Sequence, residues 1–217
     1  LDKIEVFMSH PNYKKATFLL SAARLTQLPT DSGIEVAFVG RSNAGKSSVL
    51  NQLTQNSKLA RVSKTPGRTQ HINVFVLDGE RRLIDLPGYG YAAVPQDVKI
   101  QWQKTLDAYL QTRGCLQGLI LVMDIRHPLT EFDRHLLEWA EACNLSVHIL
   151  LNKADKLAFG AMKKTLQQVQ DYTATANNPI SCQAFSALKS TGIKELREQL
   201  DRWYDLPPHR DEPETDG

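Results

Sequence analysis

The sequence predicts a doubly wound α/β domain: a mostly parallel six-stranded sheet with one antiparallel strand and helices on both faces. Three observations carry this. Short apolar runs alternate with longer segments of helical periodicity, as buried parallel strands joined by crossover helices require. A glycine-rich loop, GRSNAGKS at Gly40–Ser47, stands where one apolar run ends and a helical segment begins. Two runs are separated by little more than Asp78-Gly79, a turn short enough to permit only an antiparallel hairpin.

Residues 1–33 are expected to form an extension packed on the domain edge, where FLLSAARLTQLP has room for a strand or a short helix. IEVAFV (Ile34–Val39) is the first strand of the domain proper, and a helix follows Lys46. HINVFVL (His71–Leu77) and RRLIDL (Arg81–Leu86) form the hairpin. From Asp97 to Thr112 the pattern is helical, with Val98, Trp102, Leu106, Tyr109 and Leu110 on one side. LQGLILVMD (Leu116–Asp124) is a buried strand, and the next helix, Thr130–Ala142, opens with Thr130 and Asp133 at capping-box spacing ahead of Phe132, Leu136 and Trp139. SVHILL (Ser146–Leu151), a helix over Ala161–Ala176, ISCQAF (Ile180–Phe185) and a helix over Thr191–Tyr204 complete residues 34–204. The stretch 205–217, DLPPHRDEPETDG, has three prolines and five acids and is expected to be a disordered tail.

A chain of 217 residues, 41% hydrophobic and 23% charged, suits one well-cored domain, and a net charge of +2 names no partner. Cys115, Cys143 and Cys182 form no CxxC pair and are expected as buried free thiols in a reducing cytoplasm. No apolar run approaches the ~18 residues that span a bilayer, so no membrane association is expected. The six histidines show no metal-ligand spacing.

GRSNAGKS fits G-x-x-x-x-G-K-[ST] between a strand and a helix. Glycines let the backbone of Gly40, Arg41, Ser42, Asn43, Ala44 and Gly45 curl around phosphate oxygens, while the helix offers its positive end. Lys46 is placed to bridge β- and γ-phosphates, and the Ser47 hydroxyl to ligate magnesium. NKAD, Asn152–Asp155, follows an apolar strand. The Asp155 carboxylate can accept from guanine N1–H and its 2-amino group, donors that adenine lacks. Lys153 is expected to lay its stem across the base, Asn152 to tie this loop to the P-loop, and Ser186 and Ala187 to offer N–H groups to guanine O6. In DLPG, Asp85 reaches magnesium through water and Gly88 donates its N–H to the γ-phosphate. A mobile threonine for the metal comes from Thr65 or Thr69.

These segments carry a family resemblance. GIEVAFVGRSNAGKSSVLNQLT, SKTPGRTQ, LIDLPGYGYA, VMDIRHPL and KADKL resemble the EngB (YihA/YsxC) bacterial GTPases of the TRAFAC class, beside Era, Der and MnmE, from about Phe18 to Tyr204. The resemblance implies a Ras-like GTPase fold, binding of GTP and GDP with Mg2+, a role in late assembly of the large ribosomal subunit, and a requirement in cell division and septation. It also assigns switch I to Gly67, Arg68, Thr69, Gln70 and His71 with Thr69 on magnesium, switch II to Asp85, Leu86, Pro87 and Gly88, and support of the guanine loop to Phe185, Ser186 and Ala187. Members usually show TKAD where this chain has NKAD. A monomeric protein is expected.

One position departs from the Ras pattern. Tyr89 follows Gly88 where a glutamine would orient the attacking water, and a phenol lacks the paired donor and acceptor for that task. The resemblance to potassium-activated GTPases puts Asn43 at a potassium site, with Lys46, Thr69, Gly88 and Asn43 as the catalytic set and slow turnover raised by potassium and the ribosomal particle. From Lys46 through Leu77 there is no acidic residue, while Lys58, Arg61, Lys64 and Arg68 suit contact with ribosomal RNA phosphates. Three classes stay open: a GTP-dependent assembly factor, a GTP-binding regulatory module with negligible hydrolysis, and a P-loop small-molecule kinase.

Overall fold

The computed structural model describes residues 10–60, 71–89 and 96–205, with the side chains of 96–102 left aside. Seven strands form one sheet in the order β1-β3-β4-β2-β5-β6-β7: β1 Thr17–Ala22, β2 Ile34–Gly40, β3 Ile72–Val76, β4 Arg81–Asp85, β5 Leu116–Asp124, β6 Ser146–Asn152 and β7 Ile180–Ala184. Only β3 runs against its neighbours, pairing antiparallel with both β1 and β4. The count exceeds the expected six because FLLSA of the N-terminal segment adds an edge strand. Its outer residues, Phe18 and Leu19, are exposed, so its alternation carries little burial signal. The 205–217 tail lies outside the described residues beyond Asp205.

Among the described residues five α-helices flank the sheet: α1 Lys46–Thr54, α2 Gln96–Thr112, α3 Glu131–Ala142, α4 Phe159–Thr173 and α5 Ile193–Tyr204. Strand alternation divides the core in two. Ala37 and Val39 of β2, with Leu119, Leu121 and Met123 of β5, face α2, α3 and α4, while Val36, Phe38, Ile120 and Val122 face α1 and α5. The capping box at Thr130 and Asp133 forms as its spacing indicates.

Two buried polar sites were hidden within apolar runs. Glu35 on β2 is 0% exposed, and its carboxylate takes bonds from Arg82 Nε at 3.0 Å, Arg113 Nη2 at 2.7 Å and the Tyr109 hydroxyl at 3.0 Å. Two guanidinium groups offset the cost of burying that charge. Arg113 and Tyr109 also fasten the C-terminal end of the helix over Gln96–Thr112 to β2.

His148 on β6 bonds Ser181 at 2.7 Å and Gln183 at 2.8 Å on β7. Burial lowers its pKa below 6.5, so the fold holds it neutral more firmly than the unfolded chain does. That contribution is complete above 6.5 and is lost as pH falls through this value. The melting temperature is therefore expected to fall as pH drops below about 6.5, and His148→Gln to flatten that slope in thermal melts.

Of the cysteines, only Cys115 is fully buried, while Cys143 and Cys182 are half-buried. All three are free thiols. Burial pushes Cys115 and Cys182 up to about 12, which keeps them unreactive.

Candidate nucleotide site

The carboxyl ends of β2, β4, β5, β6 and β7 converge around the point where strand order reverses, the place where open α/β sheets bind ligands. The β2 end continues into the glycine-rich loop, and Gly45 turns it at φ +100° before Lys46 starts α1. A Cβ on Gly45 would lie 2.2 Å from Asn152 Nδ2, so glycine here also admits a side chain from the guanine loop. Asn152 Nδ2 donates to the Ala44 carbonyl at 2.8 Å and its Oδ1 accepts from Ala187 N–H at 3.3 Å, joining three loops.

At one end of the cleft, Lys46 pairs with Asp85 Oδ1, both side chains being no more than 10% exposed. Asn73 Nδ2 donates to the other carboxylate oxygen at 3.2 Å, and Ser21 of β1 bonds Asn73 at 2.7 Å. Asn73 was not legible as a site residue, because it lies inside the β3 run. Ser47 is half-buried in the first turn of α1 and Gly88 lies against the loop, its virtual Cβ 3.5 Å from the Gly40 carbonyl. Leu86 and Pro87 are buried, while Arg41, Asn43 and His71 are exposed. Gly67, Arg68, Thr69 and Gln70, with the alternative Thr65, lie outside the described residues.

At the other end, the Ser186 hydroxyl donates to Asp155 Oδ1 at 2.6 Å. This bond, assisted by Lys156, holds the Asp155 carboxyl below its usual range. Both N–H groups expected to face a base are engaged within the chain, that of Ser186 by the Thr191 carbonyl at 3.1 Å and that of Ala187 by Asn152 Oδ1 at 3.3 Å, so Ser186 contributes its hydroxyl to Asp155. The Phe185 side chain is core, and its backbone braces the loop through Leu151 and Ala154. Lys153 Nζ donates to the Asn43 carbonyl at 2.5 Å and pairs with Asp124 at 3.0 Å, fixing its stem above the P-loop. Asp124 also takes two bonds from the Arg126 guanidinium and one from its N–H. Burial pushes the Asp124 carboxyl up, but the bonds from Arg126 and Lys153 outweigh it and hold the group well below the carboxylate range. Arg126 is thereby held at the Lys153 end of the cleft.

The donor set fits a hard cation and a polyphosphate. Ser47 and Asp85 offer oxygen ligands, and Lys46 and the free N–H groups of the first turn of α1 offer positive charge. Ser42 Oγ is buried with no partner among the described residues, a polar atom at the loop mouth left open to bond a ligand.

A phosphate-binding loop, a metal-side aspartate and a guanine-side aspartate on the carboxyl edge of this sheet define a P-loop GTPase. The family model described as 50S ribosome-binding GTPase matches residues 35–153. The chain is 52% identical to the probable GTP-binding protein EngB of Enterobacter sp. (strain 638) over 197 residues, 91% of this chain and 95% of that one. Its counterpart in Klebsiella pneumoniae (strain 342) is 52% identical over 202 residues, 93% of this chain and 96% of that one. The chain belongs to the EngB family of GTP-binding proteins. In fold it is similar to a crystal structure of a probable GTP-binding protein EngB, with TM-score 0.65 at 20% identity over 78% of this chain and 98% of that one. Aquifex aeolicus Era bound to GDP and aluminium fluoride gives 0.62 at 21% identity over 85% of this chain and 60% of that one. No helix among the described residues is long and apolar enough to cross a membrane.

Proposed function

We propose that the protein is a cytoplasmic, slow, magnesium-dependent GTPase that switches between GTP and GDP forms during late assembly of the large ribosomal subunit, and through that supports cell division and septation. The observation that carries the nucleotide reading is the placement of two acids at the carboxyl edge of one sheet, Asp85 beside Lys46 and Asp155 braced by Ser186. On this reading the Lys46 ammonium leaves Asp85 for the β- and γ-phosphates. Ser47 and Thr69, with Asp85 through water, would hold magnesium. The ion supplies neutralisation of charge on the phosphate oxygens. Gly88 donates its N–H to the γ-phosphate, and Asn43, exposed at the loop crest, is the potassium ligand.

The ribosomal partner is supported by the matched family's description and by the acid-free run Lys46–Leu77 with exposed Lys58. Co-sedimentation with 30S, 50S and precursor particles, with GDP or a non-hydrolysable GTP analogue across a salt series, tests it. Binding is expected on 50S-type particles with the analogue, falling steeply with salt. Binding indifferent to nucleotide and particle would remove this partner. One observation favours a module with negligible hydrolysis: Tyr89 is buried with its hydroxyl on Asp133, so it orients no water. Single-turnover hydrolysis in potassium against sodium, with and without particles, separates the two. Turnover that rises with both potassium and particle is expected.

A further inference from the structure

The residue in the glutamine position is turned inward and tied down at both ends. Along the backbone, Ser42 N–H donates to the Tyr89 carbonyl at 2.7 Å and Tyr89 N–H to the Gly40 carbonyl at 3.4 Å, with a parallel bridge between Arg41 and Tyr89. The switch II segment is thus zipped to the rim of the P-loop. Through its side chain, Tyr89 is 3% exposed, stacks on Phe132 with centroids 4.0 Å apart, and donates its hydroxyl to Asp133 Oδ1. The other oxygen of Asp133 accepts the Thr130 N–H at 2.8 Å and hydroxyl at 2.7 Å, closing the cap of α3. Phe132 in turn meets Trp139 edge-on, centroids 5.9 Å apart. Burial first, and Asp133 second, raise the Tyr89 pKa well above 10, so the donor proton stays in place near neutrality.

We propose that Tyr89 is a positioning residue of the nucleotide site: by clamping the peptide after Gly88 to the capping carboxylate of α3, it holds the Gly88 N–H ready for a terminal phosphate and makes α3 a reporter of that phosphate. The proposal rests on the GTP-binding reading. A contact from Gly88 to a γ-phosphate is one that GTP makes and GDP does not. Whatever keeps Gly88 in place beforehand therefore raises the affinity for GTP over GDP, because less ordering is left for the moment of binding. The same linkage runs outward: a γ-phosphate that draws on Gly88 pulls on Tyr89, and the ring and hydroxyl pass the displacement to Phe132 and Asp133 at the start of α3. Sequence reading saw only the local half of this arrangement, the cap at Thr130 and Asp133.

The test uses the full chain and Tyr89→Phe, which keeps the ring on Phe132 and removes the hydroxyl. Affinities for GDP and for a non-hydrolysable GTP analogue are measured with magnesium, beside a thermal melt. The analogue is expected to weaken about fivefold to tenfold while GDP stays within about twofold, the size expected from part of one hydrogen bond to a charged acceptor. A second readout is the fluorine resonance of 5-fluorotryptophan at position 139, assigned by Trp139→Phe. It should move between the GDP and analogue complexes of the wild type, and move less in Tyr89→Phe. Equal losses for both nucleotides, or a lowered melting temperature with an unchanged affinity ratio, would reduce Tyr89 to a packing residue. Failure of the wild type to bind GDP would remove the GTP-binding reading and the proposal with it, a result distinct from an unchanged ratio in a protein that binds.

Discussion

Lys46→Ala is expected to bind GTP on the order of 100-fold to 1,000-fold more weakly than the wild type, and to melt earlier even without nucleotide. The first effect follows from losing the ammonium placed to bridge the β- and γ-phosphates. The second is particular to this arrangement. Lys46 and Asp85 form a nearly buried pair, so truncating the lysine leaves a carboxylate whose remaining side-chain partner among the described residues is the Asn73 amide. Breaking such a pair costs about 3 kcal/mol, which lowers the melting temperature of a domain this size by roughly 6–12 °C. The double variant Lys46→Ala, Asp85→Asn separates the two effects. It should recover most of the lost melting temperature and none of the affinity. Calorimetry and nucleotide titration on the three proteins check both halves.

Asp155→Asn is expected to lower GTP affinity by about 1,000-fold while leaving stability nearly unchanged. Guanine presents two adjacent donors, its ring N1–H and its 2-amino group, and an amide can accept only one while setting a donor against the other. Stability holds because the Ser186 hydroxyl, now 2.6 Å from Asp155 Oδ1, can donate equally to the carbonyl of an asparagine. Xanthine carries a carbonyl where guanine has the amino group, so the variant should bind xanthosine triphosphate better than GTP. Competition titrations with both nucleotides and ATP check this. ATP competing equally in the wild type would overturn the guanine-reading role of Asp155.

The parts of the molecule set by local rules were readable in one dimension. The strands β2, β5 and β6 are apolar over most of their length, the hairpin has its Asp78-Gly79 turn, and the P-loop and NKAD sit at strand ends where their chemistry requires them. What escaped depends on contacts between distant residues. Glu35 stands in an apolar run and is tolerable only because Arg82 and Arg113 arrive from 47 and 78 residues away. Asn73 supports Asp85 across the β3–β4 pairing, which no spacing announces. Ser186 lies in the expected loop, yet Thr191 takes its N–H and turns its contribution from backbone to hydroxyl. Asp133 is the instructive case. Its capping role follows from the residue three positions before it, whereas the Tyr89 hydroxyl comes from 44 residues away.

The Glu35 cluster has a mechanical meaning. Helix α2, 17 residues long and following switch II, has its C-terminal end held by Tyr109 and Arg113 to a buried carboxylate on β2. At 1.5 Å per residue the helix is a rod of about 25 Å. A tilt of about 10° about its held end would carry the Gln96 end through about 4 Å. The displacement in any such tilt is smallest at the Glu35 pivot and largest at the end of α2 that lies nearest in sequence to DLPG.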